Sequence, residues 1–592
     1  MFIALFSRKD IYVMLISGAR IVVETLIEQG CDAIFGYPGG QIINIFDELY
    51  LASDRLTHIL TAHEQGAAHA ADGYARATGK VGVVIATSGP GATNLVTGIA
   101  TAFLDSVPMV AITGNVPCSL IGRDSFQEVD IVGVTMPITK HNFIVKDINE
   151  LADTLRMAFK IAKSGRPGPV LVDIPKDVQT AKCEFEPKSQ PVIPYPIVYA
   201  SENKLNRAAE MIDSCERPYI YFGGGITTGK ASEALIALAE KIDAPMGCSL
   251  MGLSAVPSDH PKFLGMQGMH GHYASSMAED EADLVIALGA RFSDRATGDK
   301  KRFAQNFKII HIDIDGAELH KNIPADLAVK GDILDAVERL TAMVEQRNNP
   351  AWQARIAELR EEEKRRTEAA LSHTAERSCE KCPVPCGNPG IPASQKLTPY
   401  AIIDEVSAHA PEDSVIATDV GQHQMWAAQR YPLKKPRTFL TSGGLGTMGF
   451  GMGASIGAAI ATGKQAVLFT GDGSFGMDLI ELATAVTNNI PLVVIVMNNG
   501  VLGMVRQLQS LFFDKHFSGT TLSRKTDFVK VAEAFGAQGF RCTDLDELRA
   551  ACLKAFSSGG TSVIDCAVDC GELVLPMLPP GGSIDNIITD VK

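Results

Sequence analysis

Apolar runs alternate with amphipathic stretches along most of the chain, and this alternation predicts strands separated by helices. The runs Val81–Ala86, Met109–Thr113 and Ala466–Thr470 are apolar, as in strands that a parallel sheet buries on both faces. In contrast, Ser17–Gln29 and Met477–Val486 carry apolar residues at helical spacing. Strands and helices that alternate in this way indicate doubly wound parallel sheets, so the predicted fold class is α/β.

Interruptions of this alternation define the predicted domains. The first α/β domain spans 15–185, the second spans 190–345 and the third spans 397–592. Between the second and the third lies a linker, 346–396, which starts with a charged helical stretch. A chain of 592 residues is long enough for three or four domains, each with its own core.

The end of the linker contains a cluster of cysteines, Cys379, Cys382 and Cys386. Thiolates at close spacing bind zinc or an iron–sulfur cluster when a fourth ligand such as His373 completes the set. Several prolines lie within the same stretch and indicate a loop. We therefore expect an exposed loop without metal and keep metal binding as the alternative.

Composition argues against two classes of partner. The formal net charge is −14 and no basic run stands out, so nucleic acid is not expected as a partner. No apolar stretch reaches membrane-spanning length without charges or Gly/Pro breaks, so no membrane is expected either. Apart from the linker cluster, the cysteines are scattered singly, which indicates reduced thiols and a cytoplasmic protein. The apolar N-terminus is short and charged residues follow it, so we expect no signal peptide and consider Met14 an alternative start.

The most informative stretch is 466–499, which is predicted to form strand, turn, helix and strand. Gly471 and Gly473 flank Asp472 just past the first strand, and we expect them to allow a sharp turn. The second strand ends at Asn498 and Asn499. Because parallel strands end at the same edge of a sheet, a carboxylate and a carboxamide should meet there, as Mg²⁺ requires. The alternative is a solvated turn without a ligand.

Glu64 is the candidate acid in the first domain. It follows a predicted strand and is surrounded by Ala, Gly and Thr, an almost uncharged neighbourhood. The simpler interpretation is a glutamate in the first turn of a helix, where the helix dipole stabilises it. In the second domain, the glycine turn at Tyr221–Gly229 is weak evidence for nucleotide binding. Arginines and acids beyond later strands strengthen this evidence, whereas a domain of the same fold without a ligand is the alternative.

Taken together, these segments resemble the catalytic subunits of the acetohydroxyacid synthases, also called acetolactate synthases. The resemblance rests on GDG and NN within 466–499, on AHEQGAAHAADGYAR around Glu64, and on segments over nearly the whole chain. It implies three six-stranded α/β domains that bind thiamine diphosphate with Mg²⁺ and FAD. It also implies a homodimer or tetramer whose active sites combine the first domain of one subunit with the third domain of another, and a small regulatory subunit as a further partner.

The implied reaction is the decarboxylation of pyruvate on thiamine diphosphate, followed by addition of the resulting carbanion to pyruvate or 2-oxobutyrate. In this family Glu64 would share a proton with the aminopyrimidine ring and so activate the cofactor. The remaining pocket residues carried over by position are Phe126, Gln127 and Lys176. The metal ligands implied are Asp472, Asn499 and the backbone carbonyl of Val501.

The residues that the resemblance assigns to thiamine diphosphate are Gln422, His423, Met448, Gly471, Gly473, Ser474 and Met504. Those that it assigns to FAD are Arg166, Gly223, Gly224, His270, Gly289, Arg291, Asp294, Arg295, Asp313 and Asp332. Beyond these residues, the polar C-terminal tail that starts at Leu575 is expected to cover the active site rather than to join the core.

Two positions depart from the family pattern. Ser293 replaces an acidic residue of the family's FAD segment, and Leu508 replaces a tryptophan that contacts the acceptor substrate. The first departure weakens the expectation of FAD, and the second bears on acceptor choice. Two other classes of protein stay open on the sequence: another thiamine diphosphate enzyme, such as an FAD-free catabolic acetolactate synthase, an oxidase or a carboligase, and a non-catalytic paralogue.

Overall fold

The computed structural model of the protein describes residues 14–188, 197–372 and 397–591. Contacts divide these residues into two compact units: 14–75 with 80–188, and 76–79 with the residues from 197 onward. The cysteine cluster of the linker and the residues before Met14 lie outside the described residues, so the expectations for them stay predictions. The domain boundaries drawn from the sequence also stay predictions.

The first unit is built from eight strands and eight helices. Its strands are β1 (Met14–Ser17), β2 (Ala33–Tyr37), β3 (Thr57–Leu60), β4 (Gly82–Ala86), β5 (Met109–Asn115), β6 (His141–Ile144), β7 (Pro169–Pro175) and β8 (Lys182–Phe185). Its helices are α1 (Gly18–Glu28), α2 (Ile43–Leu51), α3 (Glu64–Thr78), α4 (Pro90–Asn94), α5 (Val96–Leu104), α6 (Ile131–Thr135), α7 (Ile148–Lys163) and α8 (Lys176–Thr180). Six strands form a parallel sheet in the order β3-β2-β4-β5-β7-β6, while β1 and β8 pair antiparallel.

The second unit contains two further sheets. The strands of the first of them are β9 (Pro218–Phe222), β10 (Met246–Cys248), β11 (Phe263–Met266), β12 (Leu284–Leu288), β13 (Lys308–Asp313) and β14 (Leu327–Lys330). The helices of this part are α9 (Glu202–Ser214), α10 (Gly224–Thr228), α11 (Ser232–Lys241), α12 (Tyr273–Asp280), α13 (Asp294–Thr297), α14 (Ile333–Met343) and α15 (Pro350–Ser372). All neighbours are parallel in the order β11-β10-β9-β12-β13-β14.

The last sheet also has six parallel strands, in the order β16-β15-β17-β18-β20-β19. They are β15 (Val415–Thr418), β16 (Phe439–Leu440), β17 (Ala466–Gly471), β18 (Leu492–Asn498), β19 (Gln538–Cys542) and β20 (Ser562–Ala567). The helices are α16 (Pro399–His409), α17 (Gln422–Arg430), α18 (Gly451–Thr462), α19 (Asp472–Asp478), α20 (Leu482–Thr487), α21 (Gly503–Phe512), α22 (Phe528–Ala534) and α23 (Leu545–Ser558). The predicted α/β class with parallel sheets is therefore confirmed.

Local sequence explains many of the element boundaries. Ser17 accepts the N–H of Arg20 at 3.2 Å and so caps α1, while Asp544 accepts the N–H of Glu547 at 2.9 Å and caps α23. The strands β4, β12 and β18 are buried almost throughout, which explains their uninterrupted apolar sequences. None of the described helices is long and apolar enough to cross a membrane.

Two expectations from the sequence are wrong in detail. The helix expected at Met477–Val486 is two helices: α19 already begins at Asp472, and a 3-10 turn at Leu479–Glu481 leads into α20. The tail after Leu575 is not purely a polar cover, because Met577 is fully buried and Leu578 nearly so. Helical spacing predicts which face of a helix is buried but not the residue at which the helix starts. In the tail, the few apolar residues that are buried lie among many polar ones, so the sequence did not distinguish them.

Candidate active site

Glu64 lies in the first unit, at the edge of the sheet where the parallel strands end. It is the first residue of α3, and its side chain is only 9% exposed. Asn94 Nδ2 donates a hydrogen bond to Glu64 Oε2 at 2.9 Å. The other oxygen, Oε1, lies beside Gly91, where a Cβ atom would approach it to 3.2 Å. The carboxyl group is thus held by one partner, and glycine leaves space at its second oxygen.

The other pocket residues predicted in this unit lie on a loop and at a helix start. Phe126 is 84% exposed, and Gln127 has a positive φ of 59°. Gly89 packs against the backbone of Gln127 so closely that a Cβ there would lie 2.9 Å from its carbonyl oxygen. Lys176 begins α8, and its Nζ donates to the carbonyl of Gly40 at 3.0 Å. The described contacts fix the position of Gln127 and Lys176 but leave the Phe126 ring free to meet a ligand.

The predicted metal ligands in the second unit lie on neighbouring strand ends. β17 and β18 pair in parallel with Gly471 opposite Met497, so Asp472 and Asn499 both follow directly from paired strands. The Asp472 carboxylate accepts the N–H groups of Gly473 and Gly500, and Gly500 follows Asn499 in the chain. Burial, reinforced by the nearby Asp565, raises the pKa of Asp472 to about 7. A cation bound beside this buried carboxylate would stabilise its ionised form, because the attraction between the two charges offsets the cost of burying the negative charge.

The backbone around Val501 is fixed by its neighbours. Val501 donates its N–H to Asn499 Oδ1 at 3.1 Å, which orients the carboxamide. On either side, the N–H of Leu502 donates to the Thr520 carbonyl and the N–H of Leu522 donates to the Gly500 carbonyl, both at 2.8 Å. The segment that would offer a carbonyl oxygen to the metal is therefore held in a short antiparallel pairing.

Gln422 and His423 open helix α17 after strand β15, as predicted, but they differ in their contacts. Gln422 Nε2 donates to Gln507 Oε1 at 3.0 Å and to the Glu572 carbonyl at 2.8 Å, so the protein uses both of its N–H groups. His423 is buried, burial lowers its pKa to about 3, and its Nε2 has no hydrogen-bond partner among the described residues. A neutral buried imidazole with one open nitrogen suits a ligand that the described chain does not supply.

The glycines beside Asp472 are explained by close approach rather than by an unusual backbone conformation. Gly471 is extended, with φ −110°, and a Cβ on it would lie 3.0 Å from His423 Nδ1. A Cβ on Gly473 would lie 2.7 Å from Leu502 Cδ2 and 3.7 Å from Met448 Cε. The chain does change direction sharply here, since α19 follows β17 directly, and the glycines allow it through close approach rather than through a left-handed conformation.

Two further predicted cofactor residues, Ser474 and Met504, and the substrate position Leu508 belong to the segments around this edge. Ser474 Oγ donates to the Val420 carbonyl at 3.3 Å, which ties α19 to the end of β15. Met504 packs against the apolar core from the start of α21. Leu508, the departure from the family pattern, lies one turn later on α21 and is half-buried. A residue at position 508 is thus placed on the same side of the helix as Met504.

Apart from Arg166, the predicted FAD residues lie at the ends of strands of the β9–β14 sheet or after them. Gly223 donates its N–H to the Leu288 carbonyl at 3.0 Å, and Gly225 donates to the Gly289 carbonyl at 3.1 Å. Gly289 has a positive φ of 56°, and a Cβ on it would lie 2.8 Å from the Cα of Gly225. A Cβ on Gly224, in contrast, would lie 3.3 Å from the nearest atoms of Met251. Two strand-end turns pack closely together here, ahead of the start of helix α10, a position where diphosphates bind in α/β folds.

Not all charged residues of this group are evidence for a bound ligand. Asp294 and Arg295 have side chains that are 72% and 67% exposed, whereas Arg291 is half-buried. Asp313 Oδ1 accepts the N–H of Asp315 at 2.8 Å. Asp332 caps α14, since its carboxylate accepts the N–H groups of Leu334 and Asp335. A structural role therefore already accounts for Asp332.

His270 is the strongest indication of a ligand in this sheet. Burial lowers its pKa to about 4, and its Nδ1 has no hydrogen-bond partner among the described residues. Arg166, which belongs to the first unit, donates from Nε to Ser106 Oγ at 2.7 Å. The open nitrogen of His270 thus suits a ligand at this sheet, as the predicted FAD site requires, whereas Arg166 and Asp332 already have partners within the protein.

Sequence reasoning missed residues that support the predicted ones. Asn94 contacts Glu64, Ser106 contacts Arg166, and Asp419 connects three segments around the His423 helix. The buried Asp419 carboxylate accepts the N–H of Gly451 at 2.8 Å and the hydroxyl of Thr470 at 2.7 Å. Asp419 directly follows strand β15, so a carboxylate at a strand end was the available signal for it, whereas Asn94 lies at the end of α4 and carried no such signal.

Comparison with known proteins gives matches in each of the three predicted domains. Models of the thiamine pyrophosphate enzymes match 16–134 (N-terminal TPP binding domain), 205–340 (central domain) and 419–566 (C-terminal TPP binding domain). The isozyme 1 and isozyme 2 acetolactate synthase large subunits of Escherichia coli are each 44% identical to the chain. The matches cover 97% of this chain and 97% and 99% of those proteins. A probable acetolactate synthase large subunit of Methanocaldococcus jannaschii is also 44% identical, over 97% of this chain and 95% of its own length.

The fold and the matched domains define a thiamine diphosphate enzyme. The first and the third matched domain are both TPP binding domains by the descriptions of their family models. More narrowly, the chain belongs to the family of acetolactate synthase large subunits.

Proposed function

We propose that this chain decarboxylates pyruvate and joins the two-carbon fragment to a second 2-oxo acid. With pyruvate as acceptor the product is 2-acetolactate, and with 2-oxobutyrate it is 2-aceto-2-hydroxybutyrate, the first common step of branched-chain amino-acid synthesis. The observation that carries this proposal is the buried Asp472 carboxylate beside Gly500 and Asn499, in a chain that is 44% identical to acetolactate synthases over nearly its whole length. The backbone N–H groups of Gly473 and Gly500 are near this carboxylate, but no cationic side chain among the described residues offsets its charge, and a metal ion would.

Thiamine diphosphate supplies an electron sink for the decarboxylation of a 2-oxo acid. The protein's part is to hold Mg²⁺ with Asp472, Asn499 and the Val501 carbonyl, and to bind the diphosphate through that ion. His423 Nε2 offers an open nitrogen next to this edge. Glu64 exchanges a proton with the aminopyrimidine ring, which its burial and its single amide partner suit.

We further propose that FAD binds at the strand ends of the β9–β14 sheet. His270 Nδ1 and the turn around Gly223 and Gly289 support this assignment. Flavin fluorescence of the supernatant after denaturation measures FAD per chain. A ratio near one is expected, whereas protein without flavin contradicts this assignment and favours an FAD-free acetolactate synthase.

The assembly proposed is a homodimer or tetramer in which each active site uses Glu64 of one chain and Asp472 of another. Inactive Glu64→Gln and Asp472→Ala chains can be unfolded, mixed and refolded together to test this. Hybrid dimers then contain one unaltered site, and random pairing returns about a quarter of wild-type activity, the fraction set by the statistics of mixing. If each site lies within one chain, the mixture stays inactive.

Two finer proposals concern the setting of the enzyme. The relatives in Escherichia coli are named large subunits, which supports a small regulatory partner for this chain as well. A cytoplasmic location is supported by nine described cysteines that are all free thiols. Copurification of a small subunit when both genes are expressed together tests the first proposal.

The direct test of the proposed reaction uses Glu64→Gln. This change keeps the size of the side chain but removes the acidic proton, so product formation should fall by about two to four orders of magnitude. Exposed Glu338→Gln is the matched control and should leave the rate unchanged. The product is identified by nuclear magnetic resonance from labelled pyruvate, and a near-normal rate in Glu64→Gln contradicts the assignment.

A further inference from the structure

We propose that Asn94 is a positioning residue that directs the proton of Glu64 onto Oε1, the oxygen beside Gly91. The inference rests on the proposed role of Glu64 and adds a residue and an atom to it. Asn94 is the last residue of α4, and Glu64 is the first residue of α3, so two separate helices meet at this contact. The hydrogen bond from Asn94 Nδ2 to Glu64 Oε2 is 2.9 Å long.

The two oxygens of Glu64 are in different surroundings. Oε2 faces the amide of Asn94, which can only donate from Nδ2. Oε1 lies beside Gly91, and a Cβ at Gly91 would lie 3.2 Å from Oε1 and 2.8 Å from the Thr87 side chain. Any larger residue would fill the space next to Oε1. The absence of a side chain at Gly91 therefore leaves Oε1 as the oxygen that a ring nitrogen can reach.

This asymmetry determines where a proton resides. A carboxyl group has one hydroxyl oxygen and one carbonyl oxygen, and only the carbonyl oxygen is a good acceptor for an amide N–H. Because Asn94 donates to Oε2, Oε2 acts as the carbonyl oxygen and the proton is placed on Oε1. When the proton passes from Oε1 to the ring nitrogen, the O–H bond breaks and the N–H bond forms. The negative charge left on the carboxylate strengthens the hydrogen bond from Asn94, which stabilises the ionised form.

The test compares Asn94→Ala with Thr93→Ala, a neighbour on the same helix. Thr93 is exposed, and its hydroxyl donates to the Pro90 carbonyl at 3.1 Å, so it does not contact Glu64. Calorimetry on cofactor-free protein gives the affinity for thiamine diphosphate and for an analogue whose N1′ is replaced by C–H. Deuterium exchange at C2 of the bound cofactor gives the rate of its activation.

In Asn94→Ala we expect exchange to slow by roughly tenfold to a hundredfold, as when a hydrogen bond to a charged group is removed. Affinity for thiamine diphosphate should fall while affinity for the analogue stays unchanged, because the analogue cannot receive the proton. Asn94→Leu has a similar shape without the N–H donor and without a new charge and should behave like Asn94→Ala, so it serves if the alanine variant does not fold. Thr93→Ala should match the wild type.

Two results overturn the proposal. Equal loss of affinity for cofactor and analogue means that Asn94 only supports the fold, and wild-type exchange in both Asn94 variants means that it has no role. Glu64→Gln, measured in the same way, distinguishes a failure of the proposed role of Asn94 from a failure of the proposed role of Glu64. If the cofactor bound to Glu64→Gln also exchanges its C2 proton at the wild-type rate, the proposed role of Glu64 itself fails. If exchange is slow in Glu64→Gln but not in the Asn94 variants, only the proposed role of Asn94 is refuted.

Discussion

Glu279 allows the sharpest physical prediction outside the active site. It lies in α12, its side chain is buried, and its Oε1 has no hydrogen-bond partner among the described residues. Burial is the main cause that raises the pKa of Glu279 from its ordinary 4.5 to about 8. The folded protein therefore keeps this carboxyl group neutral at pH 7, and Glu279→Gln should mimic the state that the fold prefers.

The sign of the pH dependence follows from linkage. Below pH 4.5 Glu279 holds its proton in both the folded and the unfolded chain. Its ionisation therefore does not lower the free energy of unfolding in that range. Between pH 4.5 and 8 the unfolded chain releases the proton and the folded chain keeps it, so the free energy of unfolding falls as pH rises. Above pH 8 the folded state ionises too and the slope ends. At about 1.4 kcal/mol per pKa unit, roughly 3 kcal/mol of stability is lost by pH 7.

The chain offers a local probe for this measurement. It has two tryptophans, and Trp352 lies in the same apolar cluster as Ala278, the neighbour of Glu279. Urea unfolding followed by the fluorescence of Trp352 in a Trp426→Phe background reports on this part of the protein. In that background Glu279→Gln should be more stable than its parent at pH 8 and nearly equal to it at pH 5.

The matched control is Glu338→Gln, which changes an exposed glutamate on α14, the helix that follows the last strand of the β9–β14 sheet. It should follow the parent curve at every pH. If Glu279→Gln loses stability between pH 5 and 8 as steeply as the parent, the buried neutral carboxyl group is not the source of the slope and the reasoning is refuted.

Two predictions concern the active site. Asp472→Ala removes the only side-chain carboxylate assigned to Mg²⁺, so calorimetry should show a collapse of thiamine diphosphate affinity, and unchanged affinity would exclude the metal assignment. Leu508 lacks the flat indole surface that the family places here, so the wild-type enzyme should show a weak preference for 2-oxobutyrate over pyruvate as acceptor. Leu508→Trp should increase that preference by about tenfold or more in a competition assay, since one methylene is worth roughly 10–200-fold. Strong selection for 2-oxobutyrate in the wild type, unchanged in the variant, would defeat this prediction.

The sequence predicted the class of fold and the sheet edges because these depend on local patterns. Buried strands such as β17 and β18 are recognisable from uninterrupted apolar runs, and parallel strands must end on one edge. That geometry predicts Asp472 and Asn499 on adjacent strand ends, where the structure has them. The start of α19 was missed because a helix can follow a strand directly, and no residue type marks that junction uniquely.

The partners of the catalytic groups could not be predicted in the same way. Asn94 is thirty positions from Glu64 in the chain, and only the packing of α3 against α4 brings their side chains together. Asp332 illustrates a competing local role, while its assignment to FAD stays a prediction. An acid after a strand is expected to bind a ribose, but the same position also caps the following helix, and the coordinates show this second use. Long-range contacts and competing local roles are therefore what the sequence leaves undetermined.

The most direct test of the central claim is acetolactate formation by the purified wild-type protein from pyruvate alone. Cofactors are first removed, and thiamine diphosphate, Mg²⁺ and FAD are then omitted in turn. We expect product with the complete mixture, none without thiamine diphosphate or Mg²⁺, and a large loss without FAD. A protein that is folded and binds all three cofactors but yields no acetolactate from pyruvate would contradict the account.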